Sequence, residues 1–256
     1  MRPSPQARSA AASTHQHPRE ESNGPRRCRG TTRTGFRCRA NHPARRTALT
    51  AAALAADIPM VAFDSVAPDE LGILSIGNDF RAQATMAAER LVELMGGKGK
   101  VAIMQGVPTA PNHRLRYDAH KAVFARYPDI DVVAEGIDQD DIARVQTGAG
   151  AILKAHPDLN GFVSCNALGP IGIGRAIAEA GLAGKVHSVG LDDLDPLLEL
   201  IRQCVVDSSA STKPYLQGSW AVTALWMARL GRPLPAVVDT GIAHITRDNL
   251  DSYHTE

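Results

Sequence analysis

Short apolar runs alternate with segments of helical periodicity along the chain from residue 58 onward. Strands are predicted at 60–63, 101–104, 132–134, 162–165, 186–191, 204–206 and 237–246, and helices at 79–95, 114–127, 142–153, 171–180, 196–202 and 214–230. Asp79 is a typical N-cap for the first of these helices, and Gly96 with Gly97 is a typical end. Strands and helices that alternate at this spacing are typical of parallel sheets covered on both faces. The pattern therefore predicts an α/β fold built from doubly wound parallel sheets.

Hydrogen-bonding side chains follow several of the predicted strands. They are Asp64, Asn112 and Arg114 at the end of the loop after the 101–104 strand, Asn166, and the pair Asp192 and Asp193. Ligands of open α/β sheets bind beyond the carboxyl ends of the strands. Carboxylates accept hydrogen bonds, amides donate and accept, and guanidinium groups donate, so this set suits a small neutral polyol. Each residue could instead cap a helix or shape a turn. We assign Asp193 to the turn and the others to a candidate ligand site.

The common catalytic and cofactor motifs are absent from the sequence. Gly172 and Gly174 resemble the start of a dinucleotide-binding fingerprint, and Asp192 ends the next predicted strand. The third glycine position, however, is Ile177, which is too large for the close packing that the fingerprint needs. Gly-Lys-Ser/Thr, His-Glu-x-x-His and Gly-x-Ser-x-Gly motifs are absent, and the nine His residues lack metal-ligand spacing. We therefore predict a non-enzymatic protein with no catalytic residue, no metal and no cofactor.

Residues 1–46 differ in composition from the rest of the chain. They contain eleven Arg, no Lys and only two acids, Glu20 and Glu21, whereas the net charge of the whole chain is +1. A secretion signal needs an apolar core of about 7–15 residues, which this segment lacks. A nucleic-acid-binding arm is an alternative, but the composition favours translation of GC-rich DNA from a wrong start or in a wrong frame. We therefore expect residues 1–46 to be disordered and outside the fold, and we expect no nucleic-acid partner.

The four cysteines and the hydropathy add little. Cys28 and Cys38 lack zinc-finger spacing, and Cys165 and Cys204 lie in apolar runs, where we predict buried free thiols. No window approaches the roughly 18 apolar residues of a membrane-spanning helix. The sequence therefore predicts no disulfide framework and no membrane span.

Six segments, in the order in which they occur, resemble those of ribose-type periplasmic sugar-binding proteins. They lie at 58–65 (IPMVAFDS), 98–103 (KGKVAI), 111–116 (PNHRLR), 155–161 (AHPDLNG, followed by Asn166), 189–192 (VGLD) and 214–218 (PYLQG). A single match of this kind is weak, but six in family order are specific. The resemblance implies a type I periplasmic-binding-protein fold, with two lobes joined by a hinge and a sugar held between them. The sugar-binding positions it implies are Asp64, Arg114, Asn166 and Asp192, with Thr212 where many members carry Gln.

The resemblance also implies a domain organisation. Residues 47–78 and 213–241 would form what is present of the N-terminal lobe, and residues 79–212 and 242–256 the C-terminal sugar-binding lobe, with crossings near residues 77–78, 212–213 and 241–242. Members of the family begin with a secretion signal and several strand–helix units of the first lobe. Residues 1–46 do not resemble them, so we expect the first lobe to be incomplete.

The function implied is monosaccharide binding as the substrate-binding component of an ABC importer. Such a protein is a monomer of the periplasm or cell envelope, and it delivers its sugar to a membrane permease. The alternative is the sugar-sensing effector domain of a lactose-repressor-type transcription regulator, which shares this fold. Those regulators carry an N-terminal helix-turn-helix, and residues 1–46 contain no apolar periodic helices. The sequence therefore favours the transport protein over the regulator.

Overall fold

The computed structural model describes residues 43–65 and 67–253, with the backbone alone for residues 43–46. In chain order the elements are α1 (Pro43–Ala55), β1 (Ala62–Phe63), β2 (Ser75–Gly77), α2 (Phe80–Leu94), β3 (Gly99–Met104), α3 (Pro111–Phe124), β4 (Ile130–Gly136), α4 (Ile142–Ala155), β5 (Leu159–Ser164), α5 (Gly169–Glu179), β6 (His187–Leu191), α6 (Asp195–Arg202), β7 (Ser208–Ser211), α7 (Pro214–Arg229), β8 (Val237–Asp239) and β9 (Ala243–Thr246), with 3-10 helices at Asp69–Leu71 and Arg247–Ser252.

The strands form two separate sheets. The smaller has the order β1-β2-β8 and is parallel throughout. The larger has the order β4-β3-β5-β6-β7-β9, in which only β9 runs antiparallel to its neighbour. We call the small sheet with α1 and α7 the first lobe, and the large sheet with α2 to α6 the second lobe. The chain passes between the sheets three times, after β2, after β7 and after β8. The predicted α/β class with parallel sheets is confirmed.

Local sequence signals explain several element boundaries. The carboxylate of Asp79 accepts hydrogen bonds from the backbone N–H groups of Arg81 and Ala82 at 2.9 and 3.0 Å, which caps α2 as predicted. Gly96 and Gly97 follow that helix with φ of 66° and 79°, a conformation that glycine adopts without strain. Pro at the first position starts α3 and α7, where the missing N–H has no intrahelical partner to lose.

The second lobe has a hydrophobic core on each face of its sheet. Alternate residues of β3 show this division, since Val101 and Ile103 pack in one cluster with α2 and α3, and Ala102 and Met104 in another with α4 and α5. Side chains of a strand alternate between the faces of its sheet, so a strand that is apolar at every position is covered on both. The doubly wound arrangement therefore follows from the uninterrupted apolar runs of its strands.

Four of the sequence predictions differ from the structure. The strand predicted at 204–206 lies instead at β7, whose Ser-Ser-Ala-Ser sequence is buried but offers no apolar run to recognise. The predicted strand 237–246 is two strands, β8 and β9, in different sheets, and β2 was not predicted. Cys165 is buried as expected, but Cys204 is exposed in the turn after α6 with φ of 56°. The boundary placed at residue 46 falls inside α1.

Candidate ligand-binding cleft

Four buried polar side chains are linked at the carboxyl edge of the second-lobe sheet. Asp192 follows β6, Thr212 follows β7, Gln83 lies on α2 and Arg116 on α3. The Nε of Arg116 donates to Oε1 of Gln83 at 2.8 Å, and Nε2 of Gln83 donates to the carbonyl of Ala210 at 2.7 Å and to Oδ1 of Asp192 at 3.4 Å. Gln83 therefore couples the cation to the carboxylate without a direct ion pair.

Asp192 is held in a defined orientation. Its backbone has φ of 65°, and Oδ1 accepts hydrogen bonds from Oγ1 and the backbone N–H of Thr212 at 2.7 and 3.1 Å. The other oxygen, Oδ2, has no hydrogen-bond partner among the residues that the structure describes. A buried carboxylate with one oxygen fixed and the other open is suited to accept a hydrogen bond from a ligand hydroxyl.

Arg116 presents an open donor at the same edge. Its side chain is buried, its Nη1 donates to the carbonyl of Cys165 at 3.4 Å, and its guanidinium lies 4.7 Å from the centre of the Phe80 ring. The remaining nitrogen, Nη2, is buried and has no hydrogen-bond partner among the described residues. An unpartnered buried donor is costly, so this nitrogen marks a position where a ligand or water acceptor belongs.

Asp64 is a candidate site residue of the first lobe. It follows β1 with φ of 49°, and its side chain is exposed to water although protein atoms enclose it on most sides. This enclosure raises the pKa of Asp64 from 3.8 to about 6, against the lowering effect of Arg116 and with a further increase from Asp192. Asp64 of the first lobe therefore feels the charges of Arg116 and Asp192 of the second lobe.

Asn166 lies in a second polar group, after β5. Its Nδ2 donates to Oδ1 of Asp138 at 2.8 Å and to Oδ1 of Asp140 at 2.7 Å, and its Oδ1 accepts from the backbone N–H of Gly169 at 2.6 Å. Both amide hydrogens are therefore used within the protein. Asn166 was predicted from the sequence, whereas Asp138 and Asp140 were not.

The structure does not bring Arg114 to the cluster. Arg114 lies on the exposed side of α3, where its Nε is 3.0 Å from a carboxylate oxygen of Asp118. Arg116, two residues later in the same motif, occupies the buried position instead. Successive residues of a helix are 100° apart, so residues two apart lie on opposite sides and only one can face the sheet. We therefore replace Arg114 by Arg116 in the candidate site and add Gln83, which the sequence analysis missed.

The two remaining candidates lie elsewhere. Asn112, at the start of α3, is half-buried and lines a largely apolar cavity of about 500 Å³ together with residues of α1, β1 and the first 3-10 helix. Asp193 accepts hydrogen bonds from Oγ of Ser211 at 2.9 Å and from the Tyr253 hydroxyl at 2.6 Å. Asp193 therefore joins the end of β6 to β7 and to Tyr253, through contacts distant in sequence rather than within the turn.

Polar side chains also tie the three crossings together. Nδ2 of Asn78 donates to the carbonyls of Thr212 and Gly241 at 3.3 Å each. The hydroxyl of Thr240 lies 3.0 Å from the carbonyl of Thr212 and 3.1 Å from that of Gly77. Thr212 thus links the Asp192 carboxylate to all three connections between the lobes.

Metal-binding clusters and membrane-spanning helices are absent from the part of the chain that the structure describes. Within residues 47–253, apart from residue 66, no group of three or more His, Cys, Asp or Glu side chains is arranged to hold a metal ion. In the same part of the chain no helix is both long and apolar enough to cross a membrane.

Comparison with known proteins identifies the family. The model of the family described as "Periplasmic binding protein domain" matches residues 38–233, so the match begins inside the segment 1–46 for which no family counterpart was expected. The xylose/arabinose-binding protein XylF of Sulfolobus acidocaldarius is 27% identical over 218 residues, which cover 78% of this chain and 54% of that protein. The D-ribose/D-allose-binding protein of Pseudomonas aeruginosa is 26% identical over 133 residues, which cover 52% of this chain and 41% of that protein. The chain spans about half the length of these curated relatives.

Solved structures agree with the sequence comparison. An ABC transporter solute binding protein from Burkholderia graminis, in complex with D-arabinose, is 27% identical with a TM-score of 0.77, covering 84% of this chain and 75% of that one. A periplasmic solute binding protein from Actinobacillus succinogenes with bound D-allose is 26% identical with a TM-score of 0.75, covering 81% of this chain and 76% of that one. These relatives are named as binding proteins rather than transcription regulators, and we set the regulator alternative aside. The chain belongs to the periplasmic binding protein domain family.

Proposed function

We propose that this chain binds a monosaccharide as the substrate-binding component of an ABC importer. The observation that carries the proposal is the linked set of Arg116, Gln83, Asp192 and Thr212, which leaves one buried guanidinium nitrogen and one carboxylate oxygen open. An open donor beside an open acceptor matches the hydroxyl groups and ring oxygen of a neutral sugar. The names of the relatives, which include xylose, arabinose, ribose and allose, support sugars of five or six carbons.

The residues proposed to contact the sugar come from both lobes. Asp192, Thr212 and Arg116 would contact it from the second lobe, and Asp64 from the first. Asn112 and Asn166 also remain candidate site residues. Asn112 lines the apolar cavity, and Asn166 donates a hydrogen bond to Asp140. Membership of the family supports a place in the periplasm or cell envelope and a membrane permease as the partner that receives the sugar. We further propose that the sugar-free protein is a monomer.

Two neighbouring arginines provide a matched test. Titration calorimetry would measure the affinity of the full chain for D-xylose, D-ribose, D-arabinose and D-allose. For the sugar that binds, Arg116→Ala and Asp192→Ala are each expected to weaken binding by about 10- to 100-fold, since hydrogen bonds to charged groups contribute about 1.5–3 kcal/mol. Arg114→Ala, on the same helix but outside the cluster, is expected to bind as the unmodified protein does. Equal effects of Arg114→Ala and Arg116→Ala would contradict the site, and the absence of binding to all four sugars would contradict the function.

A further inference from the structure

The loop after β4 has a strained backbone that hydrogen bonds hold in place. Gln139 and Asp140 both have positive φ, 55° and 59°, in a region that side-chain-bearing residues seldom occupy. The fully buried Asp138 fixes this conformation, because its Oδ1 accepts from the backbone N–H of Asp140 at 3.0 Å and its Oδ2 from that of Gly106 at 3.1 Å. The backbone thus places Asp140 at a defined position beside the end of β5.

Asn166 donates both of its side-chain hydrogen bonds to this loop. Its two amide hydrogens are directed at Asp138 and Asp140, at 2.8 and 2.7 Å, and its oxygen accepts from Gly169. An amide has two N–H donors, so no donor of Asn166 is left for a ligand. Gly106 has no room for a side chain here, since a Cβ would lie 2.7 Å from Nδ2 of Asn166 and 2.8 Å from Nδ1 of His113.

Asp140, by contrast, keeps an atom available. Its side chain is 39% exposed, its Oδ1 accepts from Asn166 at 2.7 Å and lies 4.0 Å from Nε2 of His113, and its Oδ2 has no hydrogen-bond partner among the described residues. The Nδ1 of His113 accepts from the backbone N–H of Val107 at 3.0 Å, so the neutral ring carries its hydrogen on Nε2, towards Asp140.

The open donor of Arg116 is an independent observation at the same edge. Nη1 of Arg116 donates to the carbonyl of Cys165, so the guanidinium contacts the residue that precedes Asn166 in the chain. Arg116 and Asp140 also both act electrostatically on His113. The buried Nη2 of Arg116, which has no partner among the described residues, and the open Oδ2 of Asp140 therefore lie within electrostatic range of the same residue, His113.

We propose that Asp140 is a further ligand-binding residue that determines which hydroxyl pattern the cleft accepts, and that Asn166 is a positioning residue acting through Asp140. This inference rests on the proposed sugar binding and names a specificity determinant for it. A carboxylate oxygen only accepts hydrogen bonds, so Oδ2 of Asp140 selects a sugar with a hydroxyl group at that point. The Nη2 of Arg116 selects an acceptor oxygen beside that hydroxyl.

Titration calorimetry on the full chain would test Asp140 directly. The probes are D-xylose, D-ribose, D-arabinose and D-allose, followed by the mono-deoxy analogues of the sugar that binds most tightly. Asp140→Ala is expected to weaken that sugar by about 10- to 100-fold and Asp140→Asn by about tenfold. One mono-deoxy analogue, which lacks the hydroxyl that Asp140 contacts, is expected to bind Asp140→Ala and the unmodified protein equally. Asp131→Asn, an exposed carboxylate at the other end of β4, is the control and is expected to change no affinity.

A double-mutant comparison would test the role of Asn166. If Asn166 acts through Asp140, Asn166→Ala weakens binding in the unmodified protein but causes no further loss in the Asp140→Ala background. Equal losses in both backgrounds would overturn the positioning role, and Asp140→Ala weakening every deoxy analogue alike would overturn the specificity role. Sugar binding that Asp140→Ala leaves unchanged would overturn this inference alone. If the unmodified chain binds none of the sugars, the proposed function and the inference both fail.

Discussion

The two lobes differ in how much structure supports their part of the cleft. The second lobe covers both faces of a six-stranded sheet with helices and holds three clusters of buried residues. In the first lobe the described sheet has three strands, and its core cluster consists of four buried residues, Leu74, Ile76, Ala221 and Ala224. On the outer side of α7, Trp220 and Trp226 are 44% and 62% exposed. The second lobe therefore supplies the well-packed part of the candidate site, and the first lobe presents Asp64 from a lightly packed strand.

The largest expected effect comes from the core of the second lobe. Phe162 is a fully buried residue of β5. Phe162→Ala is expected to lower the unfolding free energy of the second lobe by about 3–5 kcal/mol. The matched first-lobe change, Ile76→Ala, is expected to leave the urea midpoint of the second lobe unchanged. Hydrogen exchange would measure both lobes, with slow exchange expected at 101–104 and 187–191 and fast exchange at 62–63 and 75–77. Equal protection of the two sheets in the unmodified chain would contradict the difference between the lobes.

The same difference explains what the sequence could predict. In the second lobe most strands are apolar runs, and the helices between them have recognisable ends. The hydrophobic pattern therefore predicted β3, β5 and β6 and their helices to within a few residues. The exception is β7, where serines fill buried positions and burial cannot be recognised from residue type. In the first lobe the strand predicted at 60–63 overlaps β1, whereas β2 has only three residues and is too short for a period to be seen.

The candidate site shows a similar limit. The ends of strands suggested Asp192 and Asp64, because a side chain directly after a strand has little freedom of position. On α3 the choice between Arg114 and Arg116 depended on helical phase. The buried positions Ala119 and Val123 lie three and seven residues after Arg116, and this spacing could have selected it. Gln83 could not have been found, since its role depends on contacts with residues more than thirty positions away.

The next effect concerns acid stability of the second lobe. Burial lowers the pKa of His120 from 6.5 to about 4, so the folded protein keeps this ring neutral where the unfolded chain takes up a proton. Stability is therefore expected to fall as the pH decreases from about 6.5 to about 4, by about 3 kcal/mol in total. His120→Gln keeps a donor for the carbonyl of Ser164 but does not titrate. Urea unfolding from pH 7 to pH 4 should show a weaker acid loss in this variant, and parallel curves for the two proteins would contradict the prediction.

A smaller effect is expected at the crossings. Thr240→Val removes the hydroxyl that bonds to the carbonyls of Thr212 and Gly77, at a cost of about 1 kcal/mol. Because this contact joins the lobes, exchange at 75–77 should become faster while exchange at 101–104 stays the same. Thr223→Val, on the exposed side of α7, is the matched control, and it is expected to change stability by less than about 0.5 kcal/mol. Faster exchange at both sites in Thr240→Val would show that the two sheets unfold as one unit.

The smallest effect on stability is expected at Asp64, and its sign is opposite to that of His120. Enclosure raises the pKa of Asp64 to about 6, so between about pH 4 and pH 6 the folded protein holds a proton that the unfolded chain has released. Stability from this group therefore falls as the pH rises through that range and is lowest above pH 6. Since the side chain is exposed to water, solvent screening should keep the effect below about 1 kcal/mol.

Asp64→Asn should be slightly more stable than the unmodified protein at pH 7 and equal to it near pH 4, and thermal melts across this range would measure the difference. The same variant should bind sugar more weakly at pH 7, because the amide is a weaker acceptor than the carboxylate. A variant that gains no stability at pH 7 would contradict the enclosure of Asp64 and its raised pKa.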